Sequence, residues 1–465
     1  MWKTVLKREI QHNLYSLRFL LSLALILAVF IAGSLSFVRH HAADLDKYRV
    51  ARDLAVKAVQ TDAASGATNL AVNRRSYDLR PRDNGFLADA KEKYLPNSLT
   101  YSAWNVFGFA NKSGSANPYL ARYDELSWAF AIALLVSFAA LIFTFDAVSG
   151  EKESKTLSLA LANPVSRGAL LFGKYASAVV SVMAILAPGV LVGLLILTLA
   201  GTVSWGWSLA AEVGACLLAA AFLAAAMSAF GLLCSVLARS SNVSLLLALT
   251  VWLLFAMVIP NSSGFLAKNV FPIEKAESVQ KRVQQALDDL SKAAPPGSWM
   301  MNSNNPFLPQ HELRANLMRK RMAAEKAIRD DYYRSMFLQF ERTRRLTAFS
   351  PVAAFEFLAE SIVGGGYPRF RRDWDDLHVF QGRFLSFFQA LDAADPKSPH
   401  WFNPRESVST TRQKVSPDVV PTFSERPMSF ADRLGSAWPY LLVLAAAAAL
   451  IFSLGFGLFV RYDVR

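Results

Sequence analysis

Asp146-Ala-Val-Ser-Gly150-Glu-Lys-Glu-Ser-Lys155-Thr-Leu-Ser-Leu-Ala160-Leu-Ala-Asn-Pro164-Val-Ser-Arg167-Gly-Ala-Leu-Leu-Phe-Gly-Lys174 is a charged island between two long uncharged apolar runs. It holds four cations (Lys152, Lys155, Arg167, Lys174) and three anions (Asp146, Glu151, Glu153). Leu157, Leu159 and Leu161 favour a short surface helix. Asn163-Pro164 ends it, because proline has no N–H to donate and disfavours helix at the residue before it. A second helix starts near Ser166 and climbs into the next apolar run. An exposed amphipathic helix held between two membrane spans is a lever that a partner can push.

Outward from this island the chain is dominated by apolar runs long enough to cross a bilayer. Spans are expected at 19–38, 126–145, 175–204, 208–238, 240–264 and 434–460. With 53% hydrophobic and 18% charged residues over 465 positions, the chain reads as a membrane protein with substantial polar parts. The net charge of +13 is spread among anions, with no aromatic-interleaved basic motif, so nucleic acid is not an expected partner. Cys216 and Cys234 share one apolar run, about 27 Å apart on a helix, too far to bridge each other.

Residues 1–18 form an amphipathic helix, with Trp2, Val5, Leu6, Ile10 and Leu14 on one face and Lys3, Lys7, Arg8 and His12 opposite. It is suited to an anionic membrane surface. A signal peptide is the plainer reading, but the following run is longer than a signal core and lacks a convincing cleavage site. Cations in the short segments concentrate before the first span, in 146–174, at Arg239 and in the tail 461–465. Gly201 to Trp207 has none, so both termini are expected to be cytoplasmic. Trp128, Trp205, Trp207, Trp438 and Tyr440 then fall at the outer ends, as an interfacial belt. Two long polar segments, 39–125 and 265–433, lie outside. The first continues the span as a helix (Leu45, Tyr48, Leu54), then loosens around Pro81–Gly85 and Asn111–Asn117. The second opens with a helical hairpin (Val279, Val283, Leu287, Leu290 against Leu313, Leu317, Ala324, Ile328), joined by a loop from Pro295 to Pro309. Ser350-Pro351 caps an apolar helix that ends at Gly364-Gly-Gly366.

Gly150-Glu151, Thr156-Leu157, Pro164-Val165-Ser166-Arg167 and Gly173-Lys174, in that order, resemble the intracellular loop of ABC-2 type transporter permeases. The span pattern is similar to that family over most of the chain. The sequence departs at Lys155, where the family usually has glycine. The enlarged polar segments resemble the subgroup with an extracytoplasmic domain of unknown function. The resemblance implies an all-α membrane protein: six transmembrane helices, an N-terminal amphipathic helix and two extracytoplasmic, mainly helical insertions. It implies a multi-pass protein of a bacterial inner membrane whose partners are cytoplasmic ABC ATPase subunits and a second permease, identical or related. ATP and Mg would be bound by the ATPase, with no cofactor in this chain. Gly150, Glu151, Glu153, Thr156, Leu157, Pro164, Val165, Ser166, Arg167 and Lys174 are the residues of the ATPase-coupling loop.

Other constellations carry less. Gly168-Ala-Leu-Leu-Phe-Gly173-Lys174-Tyr175 imitates a phosphate-binding loop, but Tyr175 stands where Ser or Thr is needed and no strand precedes it. His12, His40, His41, His311, His378 and His400 lack metal-ligand spacing, and His40-His41 reads as a solvated pair. Glu356/Glu360 and Asp373/Asp375/Asp376 read as surface carboxylates rather than acid–base pairs. Pro188-Gly189 is a candidate helix hinge. Glu212 is expected to snorkel to the interface beside Trp205 and Trp207. Phe380, Phe384, Phe387 and Phe388 read as a core stripe rather than a lipid groove. The expected function is the non-enzymatic permease subunit of an ATP-driven exporter. The alternatives are an ABC-coupled mechanotransmission protein that carries no substrate, or a membrane-anchored scaffold.

Overall fold

A computed structural model describes residues 2–89, 95–103, 105–110, 126–162, 165–299, 309–396, 398 and 414–462. Asn163-Pro164, the stretch Asn111–Asn117, His400 and most of the loop before Pro309 lie outside the described residues.

α1 (Trp2–Leu14) is followed at Ser16 by α2 (Leu17–Ser65), whose N-cap hydroxyl accepts from the Phe19 N–H. α2 is far longer than the apolar run that starts it. No proline, and no glycine between Gly33 and Gly66, interrupts it, and Asp44–Lys47 and Asp46–Arg49 pairs support its polar half. α3 (Ala67–Val72) and three strands follow: β1 (Arg75–Asp78), β2 (Ser98–Ser102) and β3 (Asn105–Ala110), antiparallel in the order β1-β2-β3. Among its described residues the first polar segment therefore adds a small sheet, which was not expected, to its helices. Ser98-Leu-Thr-Tyr-Ser102 offers one β-branched and one aromatic residue, too few to stand out from a loop.

Among the described residues, five helices are long and apolar enough to cross a membrane: α2, α8 (Arg167–Leu199), α9 (Trp207–Leu237), the helix Ser241–Asn261 and α17 (Phe430–Arg461). The span expected at 126–145 is a shorter composite, Trp128–Ile142: α4 (Trp128–Ala131), a π segment (Ile132–Val136) and α5 (Ser137–Ile142). Between α5 and α8 lie α6 (Ser149–Glu153) and α7 (Leu157–Ala162). Helix Ser241–Asn261 also contains a π segment, between α10 (Ser241–Trp252) and α11 (Ile259–Asn261).

Small residues set the packing. A Cβ on Gly189 would stand 3.0 Å from the Ile26 side chain, and one on Gly193 would stand 3.0 Å from Ser34 Oγ and 2.5 Å from the Trp128 ring. These glycines draw α2, α4 and α8 together, as small residues do between membrane helices. α8 runs continuously through Pro188, and Gly189 is the point where Ile26 and Phe30 approach it closely. α9 occupies the middle, with Ala219, Ala220, Ala224 and Met227 buried. Trp128 is buried against Phe30 and Phe86 rather than lying in an aromatic belt, whereas Trp205, Trp207 and Trp438 are exposed.

Beyond Asn261 come α12 (Ser263–Asn269), α13 (Ala276–Lys292), α14 (Pro309–Thr347), α15 (Pro351–Val363) and α16 (Gly366–Ala394). α13 and α14 pack antiparallel as the expected hairpin, with Val279, Val283, Leu287 and Leu317 buried. α15 is inserted into the bundle against α9 and α17 and touches both π segments. Its N-cap Ser350 donates to the Phe255 carbonyl (2.6 Å) within the second π segment, where the wider i→i+5 pattern disturbs the regular ladder. Gly364 ends α15 at φ +70°, where any side chain would be strained. Phe380, Phe384 and Phe388 pack with Tyr101 and Phe107 of the sheet, so the two polar segments share one aromatic core.

Four carboxylates expected at the surface or interface are buried in ion pairs: Asp373, 3.6 Å from Arg369 on its own helix, and three whose cations lie on other elements. Glu212 bonds Arg433 (2.6 Å) and accepts from Asn84 (2.8 Å) instead of snorkelling. Glu360 accepts Arg344 at 2.8 Å, with the guanidinium stacked over Phe357. Asp376 pairs with Arg426. In these three a cation distant in sequence compensates the burial. His41 likewise is not solvated: it is buried, stacked on Phe37 and 3.3 Å from Asp83.

Candidate functional site: the 146–174 loop

The loop begins where the Arg18 guanidinium donates to Asp146 (2.7 Å), joining the start of α2 to the end of the α4–α5 composite. The Val148 and Ser149 N–H groups, at the entry to α6, both donate to Ser235 Oγ on α9 (2.9 Å each). Gly150 is half-buried at the start of α6, and a Cβ there would find ordinary contact with Ser241 Oγ (3.6 Å).

From α6 the charges reach the ends of other helices. Lys152 donates to the Val236 (2.5 Å) and Ala238 (3.1 Å) carbonyls at the C-terminus of α9, and its ammonium lies 4.4 Å from the Tyr462 ring centroid. Glu153 accepts from the Ser241 N–H at the first turn of α10 (2.9 Å), a bond that holds its carboxyl below the usual carboxylate range. Arg167 donates to the Val460 (2.7 Å) and Tyr462 (2.8 Å) carbonyls at the C-terminus of α17. Each charge has the sign that favours its helix terminus.

Lys174 is the most enclosed member. Its ammonium lies 3.0 Å from Glu9 on α1 and 2.8 Å from Glu151 on α6, and the residue is buried. One turn's neighbour, Gly173, leaves the space that α1 fills, since a Cβ there would stand 2.7 Å from Val5. Gly173-Lys174 is thus the dock for the N-terminal helix. The apparent phosphate loop is a helix: 168–175 lies inside α8, and Tyr175 donates to the Ala225 carbonyl (3.1 Å).

The apolar residues divide unequally. Leu157 is 3% exposed, packed with Val148, Leu170, Leu171, Leu232, Val236 and Phe459, and Val165 lies partly buried against the same cluster. Leu159, two positions on, is 69% exposed. Leu157 therefore anchors the loop to its own bundle, and Leu159 is the side chain presented outward. Thr156 is exposed, its hydroxyl 2.8 Å from Ser154. Ser166 caps α8 by accepting from the Ala169 N–H (3.2 Å). Lys155 has φ +60°, the left-handed region that glycine adopts without strain.

The structure thus brings Glu151, Glu153, Leu157, Val165, Arg167 and Lys174 into one unit; Pro164 is outside the described residues. Arg18, Glu9, Ser235 and Lys152's capping role were missed by sequence reasoning. Their signal was only a lone polar residue in or beside an apolar run, which periodicity does not connect to anything.

A family model described as ABC-2 family transporter protein matches residues 3–464. No curated protein matches the chain. Members of this family are membrane components of transport systems rather than enzymes. Nearly the whole length is matched, and the chain belongs to the ABC-2 transporter family, as a multi-pass membrane protein.

Proposed function

We propose that this chain is the permease subunit of an ATP-driven ABC-2 transporter, and that α6 and α7 are the surface on which a separate cytoplasmic ATPase acts. The observation that carries the reading is the wiring of the loop. Through side chains of residues 146–174 it holds α1, α2, α9, α10 and α17, besides leading into α8. A displacement of α6 and α7 is therefore delivered to most of the bundle at once, which is what interconverting inward- and outward-facing states requires. Gly150, Glu151, Glu153, Thr156, Leu157, Val165, Ser166, Arg167 and Lys174 form the lever, with Pro164 in the connection. The ATPase supplies ATP and Mg. The composite Trp128–Ile142 returns the chain to the Arg18–Asp146 contact and serves as the sixth span, with the loop and both termini cytoplasmic.

The permease works in this reading with a second copy or a related chain. The void between Trp128, Ile132, Val190, Val213, Cys216 and Phe355 is apolar and has room for about one water. This void would not pass a polar substrate, and in this reading the substrate route runs between two permeases, in the direction of export. The same close packing favours the second reading, mechanotransmission, in which the polar segments move and nothing crosses.

Single cysteines at Ser154 and Ser416, both exposed, test the orientation. A membrane-impermeant reagent on intact cells is expected to label position 416 and spare position 154. Labelling at 154 overturns the orientation and, with it, access of an ATPase to the loop.

A further inference from the structure

The lipid-facing flank of the span Ser241–Asn261 continues onto a second element. Leu253, Leu254 and Val258 are exposed on the span. The end of α14 lies beside them, because Ser350 donates to the Phe255 carbonyl (2.6 Å) and the Phe255 and Phe349 ring centroids are 6.5 Å apart. Phe255 lies six residues before the end of the span, about 9 Å at the helical rise. The Arg344–Glu360 pair shows that α14 descends to this point and α15 rises from it. Residues 348–350 are therefore the tip of a hairpin that reaches below the end of the span.

One face is exposed along this descent: Leu338, Arg342, Arg345 and Leu346 on α14, and Phe349 two residues past its end. Phe349 is 76% exposed although it lies at the depth of Phe255. Above it, Arg345 and Arg342 stand about 6 and 10 Å higher along the helix, at the level where the span ends. Among the described residues Arg345 has a single long ion pair, 3.9 Å to Glu341, and its side chain is 81% exposed. Apolar residues below and cations at the boundary match the chemistry of a phospholipid leaflet.

We propose that this face of α14 is a lipid-binding surface, with Phe349 and Leu346 among acyl chains and Arg342 and Arg345 on lipid phosphates. The hairpin α14–α15 then hangs the large polar segment from the bilayer at a fixed height. The proposal depends on the membrane crossing of Ser241–Asn261, not on any ATPase or substrate.

The test uses the full chain in phosphatidylglycerol–phosphatidylcholine vesicles, with a nitroxide on Phe349→Cys, Leu346→Cys or Leu338→Cys. Cys216 and Cys234 are buried and are expected to stay unlabelled. Collisions with oxygen are expected to exceed those with a water-soluble nickel chelate several-fold at 349 and 346, and the order to reverse at 338. Adding Arg342→Gln with Arg345→Gln is expected to lower the oxygen preference at 349. Nickel dominating at both 349 and 346 overturns the proposal in favour of water. Low collision with both reagents at both positions overturns it in favour of a second copy covering the face. An unchanged ratio in the arginine variant removes the phosphate contact. Position 346, about 4.5 Å higher, still reads the acyl side should Phe349→Cys fail to insert.

Discussion

At the loop end, helices meet through side chains that reach one or two backbone groups at a helix terminus: Lys152 on α9, Arg167 on α17, Glu153 on α10. At the other end, Tyr101, Phe107, Phe380, Phe384 and Phe388 fill a core with rings 4.9 to 5.8 Å apart. The apolar cluster under the loop is far smaller, with Leu157, Leu171, Val236 and Phe459 as its main members. Exposed ion pairs contribute at most about 1 kcal/mol each, whereas burying an aromatic ring contributes several times that. The contrast teaches that the loop can shift by exchanging polar contacts, while the aromatic end moves only as a body.

The largest effect that would break this contrast lies in the aromatic core. Phe384→Ala is expected to cost about 3–5 kcal/mol and to expose the polar segments to protease while the loop end keeps its structure. Resistance equal to wild type would mean that this core does not hold the two segments together.

The same end carries a pH dependence. Burial pushes Asp373 up to about 7, opposed by Arg369 and Arg372 and reinforced by Glu425 and Asp376. An unfolded aspartate titrates near about 3.9. Between those values the native state holds a proton that the unfolded state has released, so stability falls as pH rises through the window, by at most about 1.4 kcal/mol per unit. Asp373→Asn is expected to flatten thermal midpoints measured across it. An unchanged slope would assign the dependence to other groups.

At the loop end, Leu157→Ala is expected to cost about 2–3 kcal/mol, because the side chain is buried in the chain's own cluster. The smallest effect is at Lys155, where Lys155→Gly relieves a left-handed backbone and is expected to stabilise by about 1 kcal/mol or less. Thermal unfolding of the purified permease measures both. A neutral Leu157→Ala would place that residue outward and reverse the assignment of faces.

Much of this was legible in the sequence. Charge-free runs announced the long apolar helices, Ser350-Pro351 and Gly364 bracketed α15, and the phenylalanine stripe declared a core. The strands were not legible, because four to six residues carry too few alternations. Buried pairs such as Glu212–Arg433 were not legible either, since the partners are 221 positions apart. Within the loop, sequence marked Leu157, Leu159 and Leu161 alike; only packing separates the buried anchor from the exposed one.

The account's central claim is that the loop's outward face docks the ATPase, and Leu159→Asp tests it most directly. Leu159 is exposed, so the variant should insert and unfold like wild type, unlike Leu157→Ala. Truncating or charging an interface anchor often costs 2 kcal/mol or more, about a thirtyfold loss of affinity. The measurement is co-purification of the ATPase with Leu159→Asp permease and hydrolysis by the reconstituted complex. The account predicts a normally folded permease that has lost the ATPase or its permease-dependent hydrolysis. Full assembly with wild-type coupled hydrolysis would contradict it and remove this face from the mechanism.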